Sequence, residues 1–412
     1  DVAPLLNFGF SFNRLKNYDR QYKSQGNNVR SIADYMAYRA TGDSERNGAI
    51  TDPANNYYVG DYDNYYPFDH FDWLGIFGYN GMLIEDSPKG SGQFVNNIGG
   101  ATAFNDLFVR EKGYVDTYDF NFGTNIDDVV SVGLTVSVTD IDYRRYTYYS
   151  EVFNDANDGF SLENSLKTEG TGWQLAAGVI VKPIPEFRFG LSYHSPTWYN
   201  LTDYYDAVMD YKYDDMFEDP VTHQPVRVSG VIDTRYDNNN SRYYDNYVDY
   251  KLRTPDKFTF SAAGVVGPVI LSADYEFTNY KSNMRLRDGY SNPLYDDVIE
   301  TDFKGASSIR VGAEIGFTKQ LTGRLGYAWK ESPIKSGTDE VLTVGSDSHF
   351  VLDDDTHHVT WGLGYRFTKN IFTDIAFVYK TQKADLYSFD TSDKASLKTN
   401  TFQGLLTLGF RF

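Results

Sequence analysis

The sequence predicts an all-β fold, a transmembrane antiparallel β-barrel, and three observations carry that prediction. Apolar and polar residues alternate with a period of two in short stretches along the whole chain. Tight and long connections between these stretches take turns. The polar face of the stretches carries charges that the core of a soluble barrel would not accept.

The first stretch begins near residue 7, with Phe8, Phe10 and Phe12 against Gly9, Ser11 and Asn13. Others begin near 114, 170, 256, 269, 323 and 372. In 130–139, Val130, Val132, Leu134, Val136 and Val138 alternate with Ser131, Gly133, Thr135, Ser137 and Thr139. In 187–194, Phe187, Phe189, Leu191 and Tyr193 alternate with Arg188, Gly190, Ser192 and His194. The pattern recurs over 309–317 and again over 359–367, where Val359, Trp361, Leu363, Tyr365 and Phe367 share a side. The chain closes on Phe402, Leu406, Leu408, Phe410 and Phe412 against Gln403, Thr407, Gly409 and Arg411, with Leu405 out of step. The stretches number twelve.

Every second connection is tight: 124–128, 182–186, 266–268, 318–323 and 368–370. Those between are long and rich in Asp, Asn and Tyr: 19–113, 144–170, 199–248, 281–303, 331–356 and 382–398. Short turns at one rim and long loops at the other describe a membrane barrel with periplasmic turns and extracellular loops. Repeats of fixed period, which a propeller would show, are missing.

The face chemistry agrees. Asp119, Arg188, Asp274, Glu276, Arg310, Glu314, Arg324, Arg366, Asp374 and Arg411 lie on the polar side. A barrel this wide cannot be filled with side chains, so the apolar face points outward, where lipid covers it. Phe402, Leu406, Leu408, Phe410 and Phe412 are then lipid-facing, and aromatic residues near the strand ends form the interfacial girdles.

Composition narrows the classes further. The net charge of −19, from 57 acidic and 38 basic residues, argues against a nucleic-acid partner. With no cysteine there is no disulfide frame and no thiol chemistry. The mean hydropathy of −0.49 fits no transmembrane helix, and a barrel needs none. The chain is read as one barrel domain over 1–412, with 19–113 as a long extracellular insertion. Residues 29–40 have helical spacing, and 57–80 is dense in aromatics and Asp, as in a cap folded on itself.

No catalytic, cofactor or metal site is expected. His194-Ser195 lacks the polar partners of a lipase-like site. His357 and His358 are adjacent on a strand and point to opposite faces. The oxygen-rich stretch 237–249 lacks the Gly and terminal Glu of a calcium loop. HExxH, P-loop and EF-hand spacings do not occur.

Three stretches, "FRFGLSYHSPTWYNL" (187–201), "KLRTPDKFTFSAAGVVGPVILSADYEFTNY" (251–280) and "FKGASSIRVGAEIGFTKQLTGRLGYAWKESPI" (303–334), resemble the FadL/OmpP1 family of outer-membrane transporters of hydrophobic compounds. Pro255-Asp256-Lys257-Phe258 matches the family's entry to a strand, and Trp329-Lys330-Glu331-Ser332-Pro333 its strand exit. Residues 357–385 fit the following hairpin. The likeness covers 114–412 well and 1–18 loosely, and 19–113 resembles the long insertions of Bacteroidota members. It implies a Gram-negative outer-membrane barrel of about 14 strands plugged by an N-terminal hatch. With twelve strands here, two more and the hatch are expected upstream of Asp1.

The resemblance implies passive uptake of hydrophobic small molecules such as fatty acids, with membrane lipid and lipopolysaccharide as surroundings. The alternative is a non-transporting subunit or scaffold in a complex with other outer-membrane proteins. The family's early kinked strand, which opens a lateral window, corresponds by order to 7–18. There the alternation fails after Asn13, at Arg14-Leu15-Lys16, where parity sends a charge toward lipid at both ends of the triplet. The expectation divides between charges at the headgroup rim and a bulge that breaks the wall.

Overall fold

The alternating stretches assemble into one antiparallel sheet of 18 strands. A computed structural model describes residues 5–47, 50, 52–59, 66–99, 102–153, 157–219, 221–235, 246–335 and 345–410. β1 (Leu5–Asn17) and β2 (Arg20–Arg30) lead into a cap. The cap comprises α1 (Ala33–Asn47), α2 (Pro53–Asn56), α3 (Trp73–Asn80) and a small hairpin of β3 (Ile84–Asp86) and β4 (Phe94–Asn96). The chain re-enters the sheet through β5 (Thr102–Ile126), whose lower half pairs with β1 and upper half with β2.

β6 (Val130–Val152) and β7 (Gly159–Ile184) continue the meander. The next crossing is divided into β8 (Phe187–His194) and β9 (Trp198–Glu218), and the one after into β10 (Pro225–Asp233), β11 (Tyr247–Arg253) and β12 (Lys257–Val266). β13 (Val269–Thr278), α4 (Tyr280–Asn283) and β14 (Arg285–Asp288) follow, then β15 (Pro293–Leu294) and α5 (Asp296–Asp302). The sheet ends in β16 (Ala306–Gly316), β17 (Leu321–Lys330), β18 (Phe350–Arg366), β19 (Ile371–Tyr387) and β20 (Ala395–Phe410). Counted as crossings, these are β1–β2, β5, β6, β7, β8–β9, β10–β12, β13–β14, β16, β17, β18, β19 and β20, the twelve of the alternation.

The tight rim has explicit turn chemistry. Asp127 and Asp128 both have positive φ (54° and 56°), as a two-residue hairpin turn requires. Thr318 and Thr368 repeat one device, each hydroxyl accepting from the backbone N–H two and three residues on.

The other rim differs from the expectation of long loops. Most of 144–170, 199–248 and 382–398 is strand, and β7 alone has 26 residues where about 10 cross a bilayer. Above the membrane the outer face meets water and the inner face meets the cap, so both carry Tyr, Thr and Asp. Strands of that composition read as loop. The insertion expected over 19–113 is likewise narrower: both its ends, β2 and the upper part of β5, belong to the sheet.

The cap packs into the upper end of the sheet. Ile32 just before α1 and Met36 and Ala40 on it, with Leu74, Ile76 and Phe77, meet Leu107, Tyr149, Leu162 and Met209 from the strands in one buried core. α1 runs to Asn47 rather than stopping at 40, because its second half still has partners. Ser44 Oγ accepts from Ile50 N (2.9 Å), and Asp43 accepts from Asp72 N (2.8 Å). Asp72 in turn caps α3, accepting from Leu74 N and Gly75 N. The aromatic stretch 57–80 thus contributes to the cap core, although 60–65 lies outside the described residues.

Among the described residues β1 and β20 each pair on one side only. At the top, residues 24–30 at one end of the sheet lie beside 388–395 at the other, and Tyr22 Oη stands 3.2 Å from His349 Nε2.

Candidate functional site

The inner face at membrane depth is divided into two kinds of wall. On β6, β7, β8 and β12 a patch of small residues lies between Arg188 toward the turns and the His194–Lys257 pair above. Gly133 stands opposite Gly178, Gly178 opposite Ser192, and Gly190 opposite Ser261. Their alignment across strands leaves a recess of about 450 Å³, to which Ala176, Ile180 and His194 also contribute. No Asp, Glu, Lys or Arg lines it.

The wall from β13 to β19 is an ion-pair ladder instead. Arg310 pairs with Glu276 (3.0 Å) and Asp274 (3.6 Å), and Arg324 with Glu314 (2.7 Å) and Asp374 (2.5 Å). Arg324 reaches Asp374 across β18 because Gly364 lies between them; a Cβ there would stand 2.6 Å from Asp374 Oδ1. Beside β1, Asp119 accepts from Ser137 (2.6 Å), Asn13 (2.9 Å), Thr117 (3.0 Å) and Ser11 (3.4 Å). Each charge on the ladder and on Asp119 therefore has polar partners, and the recess is lined without a charged residue, with Lys257 opposite His194 at its edge.

Above the recess the interior is occupied. Tyr18 and Tyr143 meet at 4.7 Å between ring centroids. Higher up, residues 345–349 tuck inside. Asp347 accepts from Arg145 (2.7 Å) and Thr147 (3.3 Å) and pairs with His349 Nδ1 (2.5 Å). Burial pushes its carboxyl up, but the adjacent His349 and Arg145 outweigh that and hold it down at about 2. At the top, the wholly buried Glu151 accepts from Ser31 Oγ (2.5 Å), Tyr149 Oη (2.5 Å) and Ile32 N (2.7 Å). Burial lifts its carboxyl to about 7 even with three donors.

The candidate lateral strand is resolved in detail. β1 pairs with β5 from Leu5 to Asn17, with a single register shift between Arg14 and Lys16. Leu15 is the bulged residue, and it resets the parity. Asn13 remains inside on Asp119. Arg14 shares the outer face with Phe12, pairs with Asp116 (2.8 Å) and lies over the Tyr114 ring. Lys16, opposite Val115, turns inward, so only one charge of the triplet points out.

On β20, Phe402, Leu406, Leu408 and Phe410 are all highly exposed on one face, and Phe402 stacks on Phe377 at 5.7 Å. Phe412 and Arg411 lie outside the described residues, as does 237–245. Ser195 is buried and its Oγ donates to Pro196 O (2.8 Å), a structural role. His357 bonds Tyr327 Oη on the outer face (2.8 Å), and His358 stands opposite Ala328 on the inner. Groups of three or more potential metal ligands do not occur among the described residues.

Sequence reasoning missed Glu151, Asp347 and the recess. A signal existed for Glu151, which keeps the parity of Thr147 and Tyr149 through a stretch read as loop. The recess had none, because registers between strands are not written in any one strand.

The family model described as "Outer membrane protein transport protein (OMPP1/FadL/TodX)" matches residues 122–407. Among solved structures the chain is similar to a Pseudomonas aeruginosa FadL homologue, at 12% identity over 97% of this chain and 88% of that one (TM-score 0.43). It is also similar to the P. putida toluene transporter TodX, at 11% identity over 77% and 81% (TM-score 0.40). The Ralstonia pickettii toluene transporter TbuX gives 14% identity over 77% and 80% (TM-score 0.41). No curated protein sequence matches.

Proposed function

The chain belongs to the OMPP1/FadL/TodX family of outer-membrane transport proteins, and from that premise we propose that it is a non-enzymatic barrel for passive uptake of hydrophobic small molecules such as fatty acids. The observation that carries this reading is a recess at membrane depth lined without charged residues, facing a wall from β13 to β19 held by ion pairs. An apolar molecule loses least solvation there, while the ladder keeps its own charges satisfied and away from it. A volume of about 450 Å³ suits one small ligand.

Filling the recess tests the reading. Ala176 faces it, so Ala176→Phe should lower uptake of a long-chain fatty acid and of toluene into cells at least tenfold, at unchanged outer-membrane level. Uptake equal to that of the unmodified protein would remove the recess from the path.

The cap favours a second reading. Its core closes the upper end of the sheet with fully buried residues, including Ile32, Met36, Leu74 and Phe77. A closed top suits a subunit or scaffold that meets other outer-membrane proteins through 31–99. On this reading Ala176→Phe leaves the cell's uptake untouched, and replacing the cap by a short linker abolishes co-purification of a partner.

On β1 we keep the lateral route as part of the transport reading, at Asn13, Arg14, Leu15 and Lys16. The bulge at Leu15 supports it, being the one register shift between β1 and β5.

A further inference from the structure

Outside the barrel, above the membrane, three cations stand in one row. Lys112 of β5 is directly opposite Arg144 of β6, and Arg144 directly opposite Lys167 of β7. Like charges in register repel, and in a chain of net charge −19 such a row is against the trend. Arg110 stands one outward position higher, over the Tyr146 ring. Together with Tyr146, Ser165, Tyr204 and Asp206 these residues line a concavity of about 420 Å³.

Partial compensation comes from the same strands. Arg144 pairs with Asp142 (3.2 Å), and Lys167 with Glu169. Glu163 is engaged by Tyr146 Oη (2.8 Å), and Asp206 lies 4.0 Å from Arg235. For Arg110 and Lys112 no ion pair occurs among the described residues, and both are exposed.

The row's height follows from the register. Tyr118, Val138 and Trp173 align across β5, β6 and β7 at the upper edge of the apolar band. Lys112 is three outward positions above Tyr118. That is about 20 Å along the strand, or some 15 Å of height at a tilt near 40°. The layer there is the phosphorylated sugar region of the outer leaflet.

We propose that Arg110, Lys112, Arg144 and Lys167 form an anion site that binds phosphate groups on the sugars of lipopolysaccharide. The concavity seats the phosphate against the barrel wall, and its negative charge relieves the repulsion along the row. The proposal rests on the membrane placement alone and stands whether or not the recess carries ligand.

The test compares the detergent-purified protein with Arg110→Gln/Lys112→Gln/Lys167→Gln, by thermal unfolding in EDTA. Without lipopolysaccharide the variant should melt at or above the unmodified protein, since repulsion is removed. Phosphorylated rough lipopolysaccharide should raise the melting point of the unmodified protein by several degrees, and that of the variant by less than a third as much. Enzymatically dephosphorylated lipopolysaccharide should act weakly on both. An equal shift in the variant would overturn the site. So would a shift seen with millimolar magnesium and missing in EDTA, which would assign binding to carboxylates bridged by divalent cations. Millimolar inorganic phosphate reproducing the whole shift would overturn the lipid source and leave a free-phosphate site.

Discussion

Glu151 fastens the cap to the barrel, and its proton makes that fastening depend on pH. Its two oxygens take Ser31 Oγ, Ile32 N and Tyr149 Oη, so one side chain holds the start of α1 to β6. Tyr149 and Tyr213 are the other titratable groups nearest it inside, and Asp34 adds a repelling charge from α1. Burial raises the carboxyl from its ordinary 4.5 to about 7. A raised folded value means that the closed state holds the proton more tightly than the open one. The contribution is therefore complete below pH 4.5, falls as pH rises toward 7, and is flat beyond. The span corresponds to about 3 kcal/mol, at 1.36 kcal/mol per unit.

Glu151→Gln is the clean perturbation. Its amide oxygen can accept from Ile32 N and Tyr149 Oη, while its NH₂ donates to Ser31 Oγ, which already accepts from Ala33 N. Geometry is kept and the titration is removed. Hydrogen exchange at the Ile32 and Ala33 amides, corrected for intrinsic rates, should accelerate in the unmodified protein between pH 5 and 7 and stay level in the Gln variant. Glu151→Ala should open the segment at every pH, with a loss of about 3 kcal/mol from the unpaired donors. Parallel pH curves for the unmodified and Gln proteins would refute the argument, as would protection that grows with pH.

Two further outcomes follow from the sheet's registers. Leu406 and Thr407 are neighbours on β20 with opposite faces, Leu406 beside Ile375 and Thr407 beside Asp374. Leu406→Arg should cost about 2–4 kcal/mol in denaturant titrations of vesicle-folded protein, and Thr407→Arg less than 1 kcal/mol; equal costs would reverse the assignment of faces. Asn13 and Thr117 are directly opposed on β1 and β5, and the native chain has no cysteine. A disulfide from Asn13→Cys/Thr117→Cys should suppress uptake reversibly with reductant if ligand leaves beside the Leu15 bulge. Undiminished uptake in the oxidised form would exclude that seam.

How much of this was legible in the sequence depends on what each face touches. At membrane depth the outer solvent is hydrocarbon, so Val132, Leu134, Val136 and Val138 alternate cleanly with polar residues and the strand is plain. Fifteen residues on, Thr147, Tyr149 and Glu151 still alternate, but Tyr146, Tyr148 and Ser150 face water, and the contrast is lost. Residues 345–349, Gly-Ser-Asp-Ser-His, carry every mark of an exposed loop. They are inside because Arg145 and Thr147, some 200 positions earlier, satisfy Asp347. The Leu15 bulge was legible as a fault in parity. That it turns Lys16 inward and leaves Arg14 to Asp116 required the register with β5.

The interior is graded from bottom to top, and the gradation constrains how any ligand reaches the recess. At membrane depth charged and small walls face each other. Above them the tyrosines Tyr18 and Tyr143 meet, then the buried pair of Arg145 and Asp347, then the apolar cap core pinned by Glu151. Breaking the Arg145–Asp347 pair would strand a buried charge at a cost of about 3–5 kcal/mol. The Glu151 latch is weaker, and near neutral pH it is already loosened by its own ionisation. If the chain takes up ligand as proposed, a path from above would pass the cap, fastened at Glu151, before the more firmly held residues 345–349. Asp347 is held by Arg145 and Thr147 of β6 rather than by the cap, so on that path cap release and access to the recess would be separate steps. The first follows the proton on Glu151.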